Sequence, residues 1–171
     1  MEKPSTARIA LKWGVIVGIV VIIFSTITSM ADLWKQSWAS WIGYLFVLGG
    51  LIMALGEFKK ANEGFMGFGE GLGLGTLMST VVGVLGAIFS YIYLNFIDTT
   101  MVSRIVDFQR EKMSEQGLSD EQIDQAMEMT AKFMSPGMMF IFGVLGYLIV
   151  GFILTLIVSA IMKKSKPEVE F

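Results

Sequence analysis

The sequence has no cysteine and no histidine, and only three prolines in 171 residues. Without histidine it lacks the side chain that ordinarily titrates near neutral pH, and without cysteine it lacks a thiolate nucleophile or soft metal ligand. Together these absences exclude His-based triads, Cys nucleophiles and most transition-metal centres, and they leave the redox compartment unread. Charge is also scarce, at 16% of residues, against about 25% in an ordinary soluble domain. The net charge of −2 gives no basic footprint for nucleic acid, which is not expected as a partner. What is abundant is apolar surface: 54% of residues are hydrophobic and the mean hydropathy is +0.66.

The charges are unevenly placed. Twelve of the 28 fall between Asp98 and Lys132, and the remainder leave four uncharged runs of 19, 21, 27 and 30 residues, bounded by Lys12–Asp32, Lys35–Glu57, Glu70–Asp98 and Lys132–Lys163. About 20 helical residues match a hydrocarbon core about 30 Å thick, and continuous apolar runs span as helices. The reading is an all-α integral membrane four-helix bundle in a single domain over 1–171. Its spans are placed near 11–31, 38–56, 71–97 and 137–162. Pro136 either starts the last helix, with Ser135 as its cap, or kinks a longer one. The first apolar run exceeds a signal-peptide core, so it is expected to remain as an anchor.

Lysine and arginine number eight in the N-tail, the 57–70 loop and the C-tail, against five in the 32–37 turn and the 98–132 loop. The positive-inside rule then predicts a multi-pass protein of the bacterial inner membrane with both termini cytoplasmic. Trp34, Trp38 and Trp41 share one face at the outer boundary. With Tyr91 and Tyr93 beside them and Trp13 at the inner boundary, they read as an aromatic belt.

From Gly64 the chain reads GFMGFGEGLGLGTLMSTVVGVLGA. No phosphate-binding frame closes there, since neither G-x-G-x-x-G nor G-K-[ST] is present. A four-residue period does fit: Gly67, Gly71, Gly75, Ser79, Gly83 and Ala87 form a small-residue row, a groove for close helix packing. Gly14 and Gly18 in span one, and Gly151, Thr155 and Ser159 in span four, offer matching faces. Packing within the chain is expected, with a homodimer seam as the alternative. Leu74, off the row, is expected to tolerate replacement better than Gly75. Glu70 is expected to snorkel into solvent or reach Lys59 or Lys60. No ionisable group lies deep in a span, and small four-span multidrug transporters rely on a membrane-embedded Glu that span one lacks.

The 98–134 segment is too long to be structureless. Met101, Val102, Ile105, Val106, Phe108 and Met113 share one helical face, Gly117 stops that helix, and Ser119 with Gln122 signals a capped second helix. On the second, Ile123, Ala126, Met127, Thr130, Phe133 and Met134 share a side, while Asp120, Asp124 and Glu128 form an acidic stripe. An extramembrane amphipathic hairpin is predicted. Its methionines are read as apolar filler rather than copper ligands, and its stripe as solvated rather than a calcium site. No catalytic, cofactor or metal residues are assigned. The apolar arc of the first helix is wider than one neighbour needs, so Phe108 and Met113 are the candidate partner contacts.

The motifs ALKWGVIVG, FGEGLGLGTLMS, YIYLNFID, EQGLSDEQIDQAMEM and IVSAIMKK together resemble an uncharacterised family of small four-span bacterial inner-membrane proteins of the Bacteroidetes type, a domain of unknown function. The resemblance covers nearly the whole chain and implies fold and topology, with no activity. It implies a proline after Asp98, where this sequence has Thr99. The expected function is a non-enzymatic accessory or scaffold protein in the lipid bilayer, docking an envelope protein through the outer hairpin. The alternative is a homo-oligomeric channel or small transporter lined by Ser79, Thr80 and Asn95.

Overall fold

A computed structural model of the chain describes residues 4–165. It contains six α-helices: α1 (Thr6–Met30), α2 (Ser37–Ala61), α3 (Phe68–Ile92), α4 (Met101–Glu115), α5 (Asp120–Phe133) and α6 (Pro136–Met162). A 3-10 turn at Leu33–Lys35 joins α1 to α2, and a π turn at Tyr93–Ile97 extends α3. The helices α1, α2, α3 with its π turn, and α6 are long and apolar enough to cross a membrane. Among the described residues no strand forms; Met66 and Lys164 make an isolated antiparallel bridge. Helix α1 starts ahead of its apolar run because Ser5 Oγ accepts the Arg8 N–H at 3.3 Å, capping an amphipathic first turn. Helix α6 starts at Pro136, and the Met139 N–H bonds the Ser135 carbonyl at 2.9 Å. Proline thus sits at the first helical position, where no amide donor is missed.

The chain divides into two compact units, and both boundaries fall inside long helices. One unit comprises the residues up to Gly86 together with those from Val144 onward. Within it α1 and α2 run antiparallel: Phe24 meets Phe46 edge-on at 5.3 Å, and Lys12 meets Glu57. Gly50 admits Val17 so closely that a Cβ there would overlap it. Helices α1 and α3 run parallel, Gly14 lying against Val81 and Gly18 against Leu85. Leu51, Leu55, Phe58, Leu74, Met78 and Val82 are fully buried between these helices. Leu74, off the small-residue row and expected to be milder to replace than Gly75, is itself fully buried in the core.

At the α2–α3 turn Glu63 and Gly64 both take positive φ, 57° and 86°. The Gly64 N–H returns to the Lys59 carbonyl at 2.7 Å, using an acceptor the helix end leaves open. Met66 and Lys164 exchange two N–H···O bonds of 2.9 Å, fastening this turn to the end of α6. Trp38 and Trp41 are exposed, while Trp34 Nε1 donates to Asp32 Oδ1 at 3.1 Å.

The second unit is Ala87–Gly143. The Asp98 N–H reaches back five residues to Tyr93 at 2.8 Å, closing the π turn. Asp98 then accepts from the Thr100 amide and hydroxyl and pairs with Arg104. Helix α4 ends in a Schellman motif: Gly117, at φ 81°, donates to Ser114 at 2.9 Å and Leu118 donates to Met113 at 3.3 Å. Both halves of the Ser119–Gln122 capping box are formed at the start of α5. Arg110 pairs with Asp124 at 3.0 Å, and Ile123 and Met127 are buried. Tyr93 departs from the expected aromatic belt. It is buried and lies 5.9 Å from Phe89, one helical turn back, because two residues carry the helix about 160° away from the exposed side where Tyr91 remains.

Candidate functional site: the glycine seam and the amphipathic hairpin

The small-residue row meets α6. A Cβ on Gly71 would lie 2.7 Å from Ser159 Oγ, and one on Gly83 would lie 3.0 Å from Tyr147 Cβ. A Cβ on Gly75 would overlap Thr155 and Leu51, and one on Gly151 would overlap Ser79. Each step of four along α3 is answered by a step of four back along α6, the register of an antiparallel pair in van der Waals contact. Gly71, Gly75, Ser79, Gly83, Gly151, Thr155 and Ser159 are all buried. In the second unit Ala87 is likewise close to Gly143, whose Cβ would lie 3.7 Å away.

Gly67 stands apart from this seam. It precedes α3, and the nearest atoms to a Cβ there would be those of Glu70 at 3.5 Å. Glu70 does not simply snorkel: its Oε2 accepts the Gly67 N–H at 2.8 Å, holding the first turn of α3. Lys59 is drawn elsewhere, donating to the Met162 carbonyl at 2.9 Å. The seam is polar as well as narrow. Thr155 Oγ1 returns its proton to the Gly151 carbonyl at 2.6 Å. The buried Oγ atoms of Ser79 and Ser159 have no hydrogen-bond partner among the described residues.

On the hairpin, the two predicted contact residues are only half-buried. Lys112 Nζ lies 5.7 Å from the centre of the Phe108 ring and bonds Glu115 at 2.8 Å. That hydrogen bond, and the charge of Glu115, raise the Lys112 pKa above the ordinary lysine range. Met113 supplies the carbonyl that closes the Schellman motif. The exposed large apolar side chains of the hairpin are on α5: Met129 is 66% exposed and Phe133 50%. Sequence reasoning missed Met129 because it lies two residues past Met127, about 160° around the helix, on the side read as polar. An apolar residue among acidic ones was the available signal.

A cavity of about 120 Å³ lies in the same unit, lined in part by Ser90, Tyr91, Asn95, Val102 and Phe140. Asn95 spends an amide hydrogen on the Tyr91 carbonyl at 2.7 Å, one turn back on its own helix. Of the acidic stripe, Asp124 is engaged by Arg110.

No curated protein and no solved structure shows significant similarity to the chain. A family profile described as "Protein of unknown function (DUF4199)" matches residues 12–164, from the second turn of α1 to the bridge that follows α6. With nine-tenths of its length matched and four helices able to cross a bilayer, the chain is an integral membrane protein belonging to that family of unknown function.

Proposed function

We propose that the protein is a non-enzymatic accessory or scaffold protein of the bacterial inner membrane, docking an envelope protein through its α4–α5 hairpin. The observation that carries this reading is the pair of exposed apolar side chains, Met129 and Phe133, one turn apart on α5. Their helix already buries Ile123 and Met127 on another side, so it presents apolar surface in two directions. The 8-to-5 bias in basic residues supports cytoplasmic termini and a periplasmic hairpin. The hairpin's net charge of −4 disfavours strong attraction to anionic lipid and favours protein as the occupant. Ser79, one of the residues that could line a channel, is covered at Gly151.

The test is a photo-crosslinking amino acid at Met129 and, separately, at Phe133 in native membranes, with the exposed Glu115 as control. The expected result is one discrete adduct common to both positions and absent at Glu115, identified by mass spectrometry as an envelope protein. The adduct should disappear when the other apolar residue of the pair is changed to Glu. Capture of lipid alone, or only of another copy of this chain, overturns the docking reading.

A further inference from the structure

The first turns of α1 hold a pocket with three charged side chains in its lining that neither the family nor the hairpin explains. It has a volume of about 340 Å³ and is lined by Pro4, Ser5, Arg8, Ile9, Lys12 and Glu57. Glu57 is already engaged: it takes two hydrogen bonds from Lys12, one of them 2.6 Å, and one from Trp13 Nε1 at 2.8 Å. The Arg8 guanidinium has no ion-pair partner among the described residues; only its backbone N–H is used, on Ser5. Two cations and one carboxylate leave the pocket with a single positive charge, carried in effect by Arg8.

What lies along the helix from this pocket is equally specific. At 100° per residue Arg8, Lys12, Val15, Ile19 and Ile23 fall within about 80° of one another on α1. Val15, Ile19 and Ile23 are 44%, 50% and 55% exposed. One face of the helix therefore passes from a cationic pocket at the end of the bundle to an uninterrupted apolar track. Trp13, half-buried beside the pocket with Lys12 5.5 Å from its ring centre, marks the level of the bilayer interface.

We propose that this pocket binds the phosphate of one membrane phospholipid through Arg8, with Lys12 alongside, and that an acyl chain of the same lipid lies along Val15, Ile19 and Ile23. Arginine's planar fork suits two phosphate oxygens, and the single residual charge matches a phosphodiester monoanion. Glu57 acts as a positioning residue: it neutralises and anchors Lys12, which sets how much positive charge the phosphate meets. Free phosphate offers the same headgroup chemistry but nothing to cover the apolar track, so the lipid is the favoured occupant. This inference stands independently of the hairpin.

The experiment is a titration of the purified full chain, in uncharged detergent, with phosphatidylglycerol, reading the bound lipid by native mass spectrometry. One lipid should bind saturably. Arg8→Gln, at an exposed position, should weaken it about tenfold, the loss of one charge-assisted hydrogen-bonding group. Arg8→Lys should retain part of the affinity, Glu57→Gln should tighten binding severalfold by freeing Lys12, and Lys60→Gln, outside the pocket, should change nothing. Inorganic phosphate should not bind at concentrations that give full lipid occupancy. Melting curves without lipid, matching wild type, establish that each variant is folded. Affinity of Arg8→Gln within twofold of wild type, or equal loss in Lys60→Gln, overturns the site; competition by inorganic phosphate at lipid-like concentration overturns the lipid assignment.

Discussion

At Gly75 a single hydrogen atom decides whether α3 and α6 can touch. Replacement by Ile would drive a branched side chain into Thr155 and Leu51, which flank it on two helices. The expected cost is at least the 1–3 kcal/mol typical of overpacking, about several degrees in detergent melting temperature. The proper control is Gly73, which is exposed and has nothing within 4 Å of where a Cβ would stand; Gly73→Ala should melt with wild type or slightly above it. Leu74→Ala, by contrast, empties a fully buried site and should cost about 2–5 kcal/mol. Equal melting of Gly75→Ile and wild type would remove the seam as a source of stability. Asp98 makes a second prediction at this scale. The Thr100 hydroxyl, and after it the charge of Arg104, hold its carboxyl below the ordinary value of 3.8. A depressed acid contributes stability above its unfolded pKa and loses it as pH falls through the folded one. Hydrogen-exchange protection at the start of α4 should therefore be flat from pH 7 to about pH 5 and fall below about pH 4. Asp98→Asn should start lower and lose that acid dependence.

The elements were legible where their signals are local. Gly117 and the Ser119–Gln122 pair announce the end of α4 and the start of α5 in adjacent residues, and both motifs form. Since Gly117 holds φ 81°, Gly117→Ala should cost about 1–2 kcal/mol, the penalty of a Cβ in the left-handed region. Ser119→Ala should cost about 0.5–2 kcal/mol through the lost cap. Helix content of a peptide covering residues 98–135, followed by circular dichroism, reads the capping effect, and melting of the full chain reads the turn; loss of neither would place the hairpin's stability outside its ends. Less was legible where geometry answers to distant packing. Nothing in YLNFI marks a π turn, and although spacing alone puts Tyr91 and Tyr93 on opposite sides of the helix, which of the two is buried depends on distant packing. The role of Glu70 as a brace for its own helix start was equally hidden, because its charge invited pairing with Lys59, which α6 claims first.

For the whole molecule, the four apolar runs and the charged segment between the last two carry most of the fold in their lengths alone. The partners across the bundle do not: Gly75 and Thr155 are 80 residues apart, and Lys12 and Glu57 are 45 apart. Spacing within one helix named the small-residue row but not which helix fills it. Overall orientation rests on the distribution of charge, and it yields a direct prediction. A reporter active only in the periplasm should work when inserted within residues 110–120 and fail when fused after Phe171. The opposite pattern would invert the topology and move the lipid pocket at Arg8 to the other leaflet.

The seam also has a history in time. Thr155 leaves the ribosome 80 residues after Gly75, which at about 5–20 residues per second is a delay of several seconds. Throughout that interval α3 carries an empty groove whose eventual filler has not been made. Three inserted helices must wait in that condition, vulnerable to a stray neighbour or to a membrane protease, until α6 arrives and Met66 pairs with Lys164 behind it. The clasp therefore cannot close until α6 has been made, and a chain interrupted before α6 should be cleared from the membrane rather than accumulate.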